Sequence, residues 1–334
     1  MRLGHFEALR PLCPACRARG QDRPLTLVAE AGTDSDITAG VLVCRDGCEQ
    51  AFPIIDGIPI LMPDLAGWLA SNLHLVQQSD IAGAAAEAVV GALAGPDSAF
   101  NIVRQQQSTY GHSHYGDLAD GSACLDVPGG AVSLLHAGLG PGPLPPGPVL
   151  DIGCAVGGGV FGLCAMTDGP VLGIDVNWPL LKIARSACDT GRVTFPFRQT
   201  GVHYDRRSGV LPGENHHKAD VWVADALALP FAAGTFGQVV SLNVLDCISD
   251  PVRMVAELAR SLASGGGYLV STPFDWASHA TPAHLWIAGT DGVVKVLEQS
   301  GLKLLQIQEA EWKLRLHALS VMTYQVKIFT GAQA

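Results

Sequence analysis

A chain of 334 residues in which 48% are hydrophobic is long enough for one large domain and a small one, with a sizeable buried core. Its net charge of −10 excludes a broad phosphate-binding surface: the longest basic run is Arg206-Arg207, and non-specific nucleic-acid affinity needs clustered Lys and Arg. No nucleic-acid partner is therefore expected.

The opening "MRLGHFEALRPLC" has no apolar core long enough for a secretory signal. The first 64 residues hold four of the nine cysteines and three strand-like runs, "LTLVAE", "GVLVC" and "AFPIIDGIPIL". "CPAC" (13–16) and "CRDGC" (44–48) set Cys13, Cys16, Cys44 and Cys48 as two knuckles. Four thiolates in that pattern suit a tetrahedral structural Zn²⁺, which would crosslink a small strand-rich module. Within residues 1–60, six basic residues face eight acidic ones, so RNA docking is not expected there. A structural role, an intramolecular contact or a dimer contact fits better, and a homodimer stays open.

Residues 65–137 read as helices with polar, aromatic-rich interruptions and form a helical cap or lid. The small-residue run "IAGAAAEAVVGALAG" (81–95) is too short to span a bilayer and contains Glu87, so no membrane association is expected. Cysteines without a secretory signal fit a reducing compartment, and the cytoplasm is the expected location. "NIVRQQQSTYGHSHYGDL" (101–118) concentrates Tyr110, His112, His114 and Tyr115 where a lid could close over a site. Then "GLGPGPLPPGP" (138–148) excludes helix and interior strand and reads as a stiff surface linker.

From residue 148 the pattern alternates. Strands are expected at 148–152, 170–175, 221–224, 237–243 and 267–272. Helices are expected near 157–167, 179–188, 251–263 and 291–300, the third opened by "SDP" with Pro251 in its first turn. This alternation implies a parallel sheet with helices on both faces. Two further strands, about 302–310 and 319–329, imply a terminal antiparallel hairpin. The connection 189–218 is long enough to carry structure or function of its own.

In such a sheet ligands sit at the carboxyl ends of the strands, where the order reverses. "PVLDIGCAVGGGVFGL" (148–163) puts Asp151, Gly153 and Gly157 there, with Ala155 where a nucleotide-binding turn usually has its central glycine. Asp175 ends the second strand, positioned to accept ribose hydroxyls. Asp225 follows the third strand and Asn243 ends the fourth. Dinucleotide enzymes share much of this logic. An acid opening the turn, however, is unfavourable beside a pyrophosphate and suitable beside an ammonium. A cofactor without phosphate also relaxes the need for glycine at 155.

The ordered segments "VLDIGCAVGGG", "VLGIDVN", "VADALALPF", "FGQVVSLNVLDCISDP" and "LARSLASGGGYLVSTP" resemble class I S-adenosylmethionine-dependent methyltransferases, over roughly residues 145–330. The variant "DIGCAVGG", with "FPFRQTG" (195–201), "STPFDWASHATPAHLWIAG" (271–289) and "EWKLRLHALSVMTYQVKIF" (311–329), resembles the subgroup that methylates mercaptohistidine in ovothiol formation. Residues 9–64, ending in "FPIIDGIPILMP", resemble small zinc-ribbon activators of tRNA and protein methyltransferases, although Cys-x₃-Cys departs from the commoner Cys-x₂-Cys. The resemblance implies an α/β fold: a Rossmann-like doubly wound methyltransferase sheet with a terminal antiparallel hairpin (138–334), a zinc-ribbon-like module (1–64) and a helical cap (65–137). It implies that Gly153, Cys154, Ala155 and Gly157 approach the methionine part of S-adenosyl-L-methionine, with Asp151 beneath. Asp175, with Val176 beside it, would bind ribose. Asp225 and Ala226 would hold adenine, and Asn243 would line the reacting end.

Tyr110, Tyr115, Asn243 and Asp246 are the candidate positioning residues for catalysis. His112, His114, Phe274, Trp276, His279 and Trp286 are candidates for substrate contact in a lid. The expected activity is methyl transfer to a small molecule, an amino acid or a natural-product intermediate. Two alternatives stay open. One is a cyclase that turns the cofactor into azetidine-2-carboxylate and methylthioadenosine. The other is a non-catalytic scaffold or activator acting through the zinc module.

Overall fold

The computed structural model describes residues 1–78, 84–119, 121 and 125–333. The start of the 81–95 run therefore lies outside the described residues. Helices α1 (Leu3–Leu9) and α2 (Pro14–Arg17) lead into an antiparallel meander of β1 (Thr26–Gly32), β2 (Ile37–Val43), β3 (Ala51–Ile55) and β4 (Ile58–Leu61). The two-residue turn Asp56-Gly57 has φ of 49° and 76°, the primed geometry that an Asp-Gly pair favours and that matches strand twist. Four helices follow: α3 (Leu65–Val76), α4 (Ala84–Ala94), α5 (Ala99–Ala119) and α6 (Ala131–Leu139). Among the described residues no helix is long and apolar enough to cross a membrane.

Past the Pro/Gly segment come β5 (Val149–Ile152), α7 (Gly158–Cys164), β6 (Val171–Asp175) and α8 (Trp178–Thr190). The 189–218 connection carries a hairpin of its own, β7 (Arg192–Thr200) and β8 (His203–Val210), separate from the main sheet. It packs on α5, where Arg198 N donates to Ser108 Oγ at 2.8 Å. The chain continues through β9 (Ala219–Ala224), β10 (Phe236–Leu242), α9 (Pro251–Ser261), β11 (Leu262–Thr272), α10 (Gly289–Gln299), β12 (Leu302–His317) and β13 (Ser320–Gln333). Helix α9 starts where the sequence signals it: Asp250 accepts from Arg253 N at 3.0 Å, with Pro251 just inside.

The strands β9, β6, β5, β10 and β11 are parallel neighbours in that order, and β13 and β12 close the sheet antiparallel. Every residue of β5 and of β9 is buried, as a strand covered on both faces requires. The chain leaves β5 toward β6 and β9, then returns to place β10 on the other side of β5, so the order reverses beside β5.

The N-terminal meander joins the same sheet. Strand β4 runs parallel to β9, pairing Ile60 with Val223 and Leu61 with Ala224, and makes a sheet of eleven strands. Polar contacts reinforce the joint. Asp220 at the start of β9 accepts from Arg185 Nη1 (3.0 Å), Arg2 N (2.8 Å) and Trp222 Nε1 (2.9 Å). Arg185 also binds Asp36 of the module and Asp189. Arg17, beside the cysteine knuckle, pairs with Glu257 of α9 at 3.2 Å.

Candidate cofactor and acceptor site

A cavity of about 620 Å³ opens at the carboxyl ends of β5, β6, β9 and β10. Its floor is the turns after those strands. Its roof includes Gln106, Tyr110 and His114 of α5, spaced four apart and so on one helical face. Trp312 of β12 and His279 of the segment after β11 complete the wall.

The turn after β5 needs three left-handed residues: Gly153 (φ 74°), Ala155 (φ 49°) and Gly157 (φ 88°). Gly153 N and Cys154 N both donate to Ile174 O, at 2.8 and 3.0 Å, which ties the turn to β6. Asp175 at the end of β6 accepts from Ala155 N through Oδ2 and from Asn177 N through Oδ1, each at 2.9 Å. These bonds fix its carboxylate against the turn. Asp151 is buried under the turn, and α7 approaches it so closely that a Cβ on Gly159 would lie 2.7 Å from Asp151 Oδ2. Burial and the neighbouring Asp175 push the Asp151 pKa up to about 8. Burial raises Asp175 as well, against the N–H donors that hold its charge.

Asp225 lines the cavity with Oδ1 accepting from Leu227 N at 2.8 Å, and Ala226 lines it beside Asp225. Asn243, at φ 56°, accepts from Ser271 Oγ at 2.8 Å through Oδ1. Its amide nitrogen has no partner among the described residues and is the donor available to a ligand. Cys154, Ala155, Gly153 and the exposed Val176 also line the wall. His114 Nδ1 accepts from Gly158 N at 3.0 Å, and burial lowers its pKa to about 4, so the ring is neutral with its proton on Nε2. Burial first, then Cys247, Asp175 and Asp246, push Tyr110 up to about 12.

The other expected residues lie off the cavity wall. Gly157 caps α7 from within the turn. Tyr115 is fully buried, donates to Val156 O and sits between Phe161 and Phe195, bracing the turn from outside. His112 accepts from Arg315 Nε at 3.2 Å and faces Phe197. Asp246 is buried: its Oδ2 accepts from Asp275 N at 2.7 Å and its carbonyl from Ala277 N at 2.9 Å, anchoring the segment after β11. In that segment Trp276 and Trp286 stack on each other at 6.1 Å, and Phe274 takes a left-handed φ of 57°. Their rings close the lid on itself and do not line the cavity.

The structure adds wall residues that the sequence reading passed over: Met62, Gln106, Asn177, Cys247 and Trp312. Gln106 was findable, because helical spacing puts it on the face of Tyr110 and His114. Met62 and Trp312 carry no local signal, since each arrives from a distant segment.

The four module cysteines converge, their sulfurs all within 4.8 Å of one another. Cys13 and Cys48 are 3.5 Å apart and Cys16 and Cys44 3.8 Å. Sulfurs bound tetrahedrally at 2.3 Å to Zn²⁺ would sit about 3.8 Å apart, so the set fits that ion. Gly47 is required in the second knuckle, because a Cβ there would meet Cys44 Sγ at 2.8 Å and Cys16 Sγ at 3.0 Å.

Residues 150–270 match the model of a methyltransferase domain, and residues 12–57 that of a Trm112p-like protein. The two matches are separate, the Trm112p-like stretch preceding the methyltransferase-like one. Ajmaline N-methyltransferase from Rauvolfia serpentina is 25% identical over 122 residues, covering 36% of this chain and 34% of the relative. The chain therefore spans about a third of the length of that curated relative. Among solved structures, phosphoethanolamine N-methyltransferase 2 of Haemonchus contortus aligns with 14% identity and a TM-score of 0.46, covering 70% of this chain and 59% of that one. A methyltransferase from Aquifex aeolicus aligns with 15% identity and a TM-score of 0.39, covering 56% and 82%.

Proposed function

We propose that the chain is an S-adenosylmethionine-dependent methyltransferase acting on a small molecule. The observation that carries this is the charge pattern of the cavity. Three carboxylates, Asp151, Asp175 and Asp225, come from three adjacent strand ends, and among the described residues no Lys or Arg lines the wall. That set of acceptors disfavours a pyrophosphate and fits a cofactor bearing an ammonium, a sulfonium and a ribose.

In this reading Asp175 accepts from the ribose hydroxyls and Asp225, with the backbone of Ala226, holds adenine. Asp151 lies under the ammonium. When bound, the cofactor supplies an electrophilic methyl group. The chain supplies positioning and the exclusion of water: Tyr110 and His114 roof the site, and the Asn243 amide presents a donor at its far end. The turn Gly153-Cys154-Ala155 supports a relation to the mercaptohistidine subgroup, hence an acceptor of amino-acid size. Residues 1–64 act as a structural metal module, 65–137 as a cap and 138–334 as the catalytic domain of a cytoplasmic enzyme.

Incubating the protein with S-adenosylmethionine, with and without a mixture of small acceptors, tests the reaction. S-adenosylhomocysteine should form only when an acceptor is present. Methylthioadenosine released from the cofactor alone would overturn methyl transfer in favour of the cyclase. Replacing Asp175 with Ala should weaken cofactor binding by tenfold or more, since each charged hydrogen bond contributes roughly 1.5–3 kcal/mol. Unchanged affinity by calorimetry would refute the placement of the ribose.

A further inference from the structure

We propose that the acceptor is a small organic amine, received at the mouth of the cavity by the stacked Trp312–Tyr324 pair and the Asp275 carboxylate. This rests on the cofactor reading above, which puts ribose and adenine on the β6 and β9 side of β5 and leaves the β10 side for the acceptor. There Asn243 and Cys247 face Tyr110 and Trp312 across the cavity.

The acceptor side is built from aromatic faces and negative charge. Trp312 is held by its Nε1 donating to Ser113 Oγ at 3.2 Å, and it stacks on Tyr324 at 5.4 Å. Tyr324 OH in turn donates to Asp275 Oδ2 at 2.9 Å. Asp275 is fixed from behind, because its N–H binds the buried Asp246 carboxylate. The field of the two acids reaches the wall: burial, then Asp246 and Asp275, push the Cys247 thiol up to about 11. The two basic side chains that follow Trp312 on β12 are engaged elsewhere. Lys313 pairs with Glu311, and Arg315 donates to His112 and to Ala318 O. His114 is neutral.

This arrangement discriminates between acceptor classes. A carboxylate or phenolate would meet Asp246 and Asp275, and among the described residues no Lys or Arg lines the wall to offset them. An ammonium gains from the exposed Asp275 carboxylate at the rim and from the aromatic faces of Trp312 and Tyr324, which attract cations. The reaction suits the field as well. The ammonium first gives its proton to solvent. The neutral amine then forms the nitrogen–carbon bond with its lone pair, while the methyl–sulfur bond breaks and its electrons stay on sulfur. The positive charge passes from sulfur to nitrogen and is never lost from the site. A fixed negative environment thus favours reactants, transition state and product alike, whereas an anionic nucleophile would cancel the charge the site is built around.

Calorimetry with one cationic and one anionic aromatic probe tests this. Protein loaded with S-adenosylhomocysteine is titrated with benzyltrimethylammonium and, separately, with benzoate. The cation should bind at least tenfold more tightly than the anion. Replacing Asp275 with Asn should weaken the cation about tenfold and leave S-adenosylhomocysteine affinity within twofold; Tyr324→Phe, which frees that carboxylate, should leave the cation bound. Equal or better binding of benzoate, or an Asp275→Asn variant that still binds the cation normally, overturns the amine. If S-adenosylhomocysteine itself does not bind, the cofactor reading falls and the amine with it. If it binds and the cation does not, only the amine falls.

Discussion

Ala155 holds a backbone conformation, φ 49°, that costs a residue with a side chain roughly 1–2 kcal/mol. Glycine would remove that cost but add chain entropy to the unfolded state. Ala155→Gly should therefore stabilise the protein by about 0.5–1 kcal/mol, read as a higher urea midpoint. A lower midpoint would mean the methyl group packs usefully in the turn. Asp151 makes a different prediction. Its pKa is raised to about 8, so below that value it holds a proton that the unfolded chain has released. Through this group the free protein loses stability as pH rises from the ordinary carboxylate range to about 8. The cofactor runs the other way, because its ammonium favours the ionised acid. Affinity for S-adenosylmethionine should rise with pH up to about 8 with proton release on binding, and Asp151→Asn should flatten the profile. A wild-type affinity independent of pH would remove Asp151 from the site.

Helix α8 is tied to β9 and to the turn before β2 through Arg185, whose side chain is 4% exposed and whose partners are Asp220, Asp36 and, within the helix, Asp189. Asp220 has no exposure at all. Arg185→Met should cost about 3–5 kcal/mol, because it removes the cation from the buried Asp220 carboxylate and from the partly exposed Asp36 and Asp189. A loss under 1 kcal/mol in urea unfolding would show that water reaches them. At this scale the sequence was readable where a local rule governs. The Asp-Pro start of α9, the alternation of strand and helix from Val149 onward and the left-handed glycines of the turn follow from capping, periodicity and φ. It was opaque where partners are remote. "IPIL" is four apolar residues with nothing to say that β4 lies parallel to β9. The last two strands run beyond the expected 310 and 329, to His317 and Gln333, because pairing between them, not their composition, extends them. That extension carries Trp312 to the cavity. Tyr115 and Asp246 stood in motifs that bear chemistry, yet backbone acceptors and donors behind the turn claim them.

The N-terminal module and the parallel sheet form one structure, joined by β4–β9 pairing and by the ion pairs Arg185–Asp36 and Arg17–Glu257. Metal analysis should find about one Zn²⁺ per chain. Because the module shares its sheet with the core, stripping the metal or replacing Cys13 or Cys44 with Ser should lower a single melting transition. A separate early transition, with cofactor binding unchanged, would show that the module unfolds alone. The same joint bears on synthesis. Strand β4 leaves the ribosome ahead of β9 by about 160 residues, roughly 10–30 s of elongation. Its four buried residues exist through that interval as an unpaired apolar edge. The nascent chain is thus exposed to self-association until Val223 and Ala224 emerge, and early capture of the metal would limit the time its first strands remain loose.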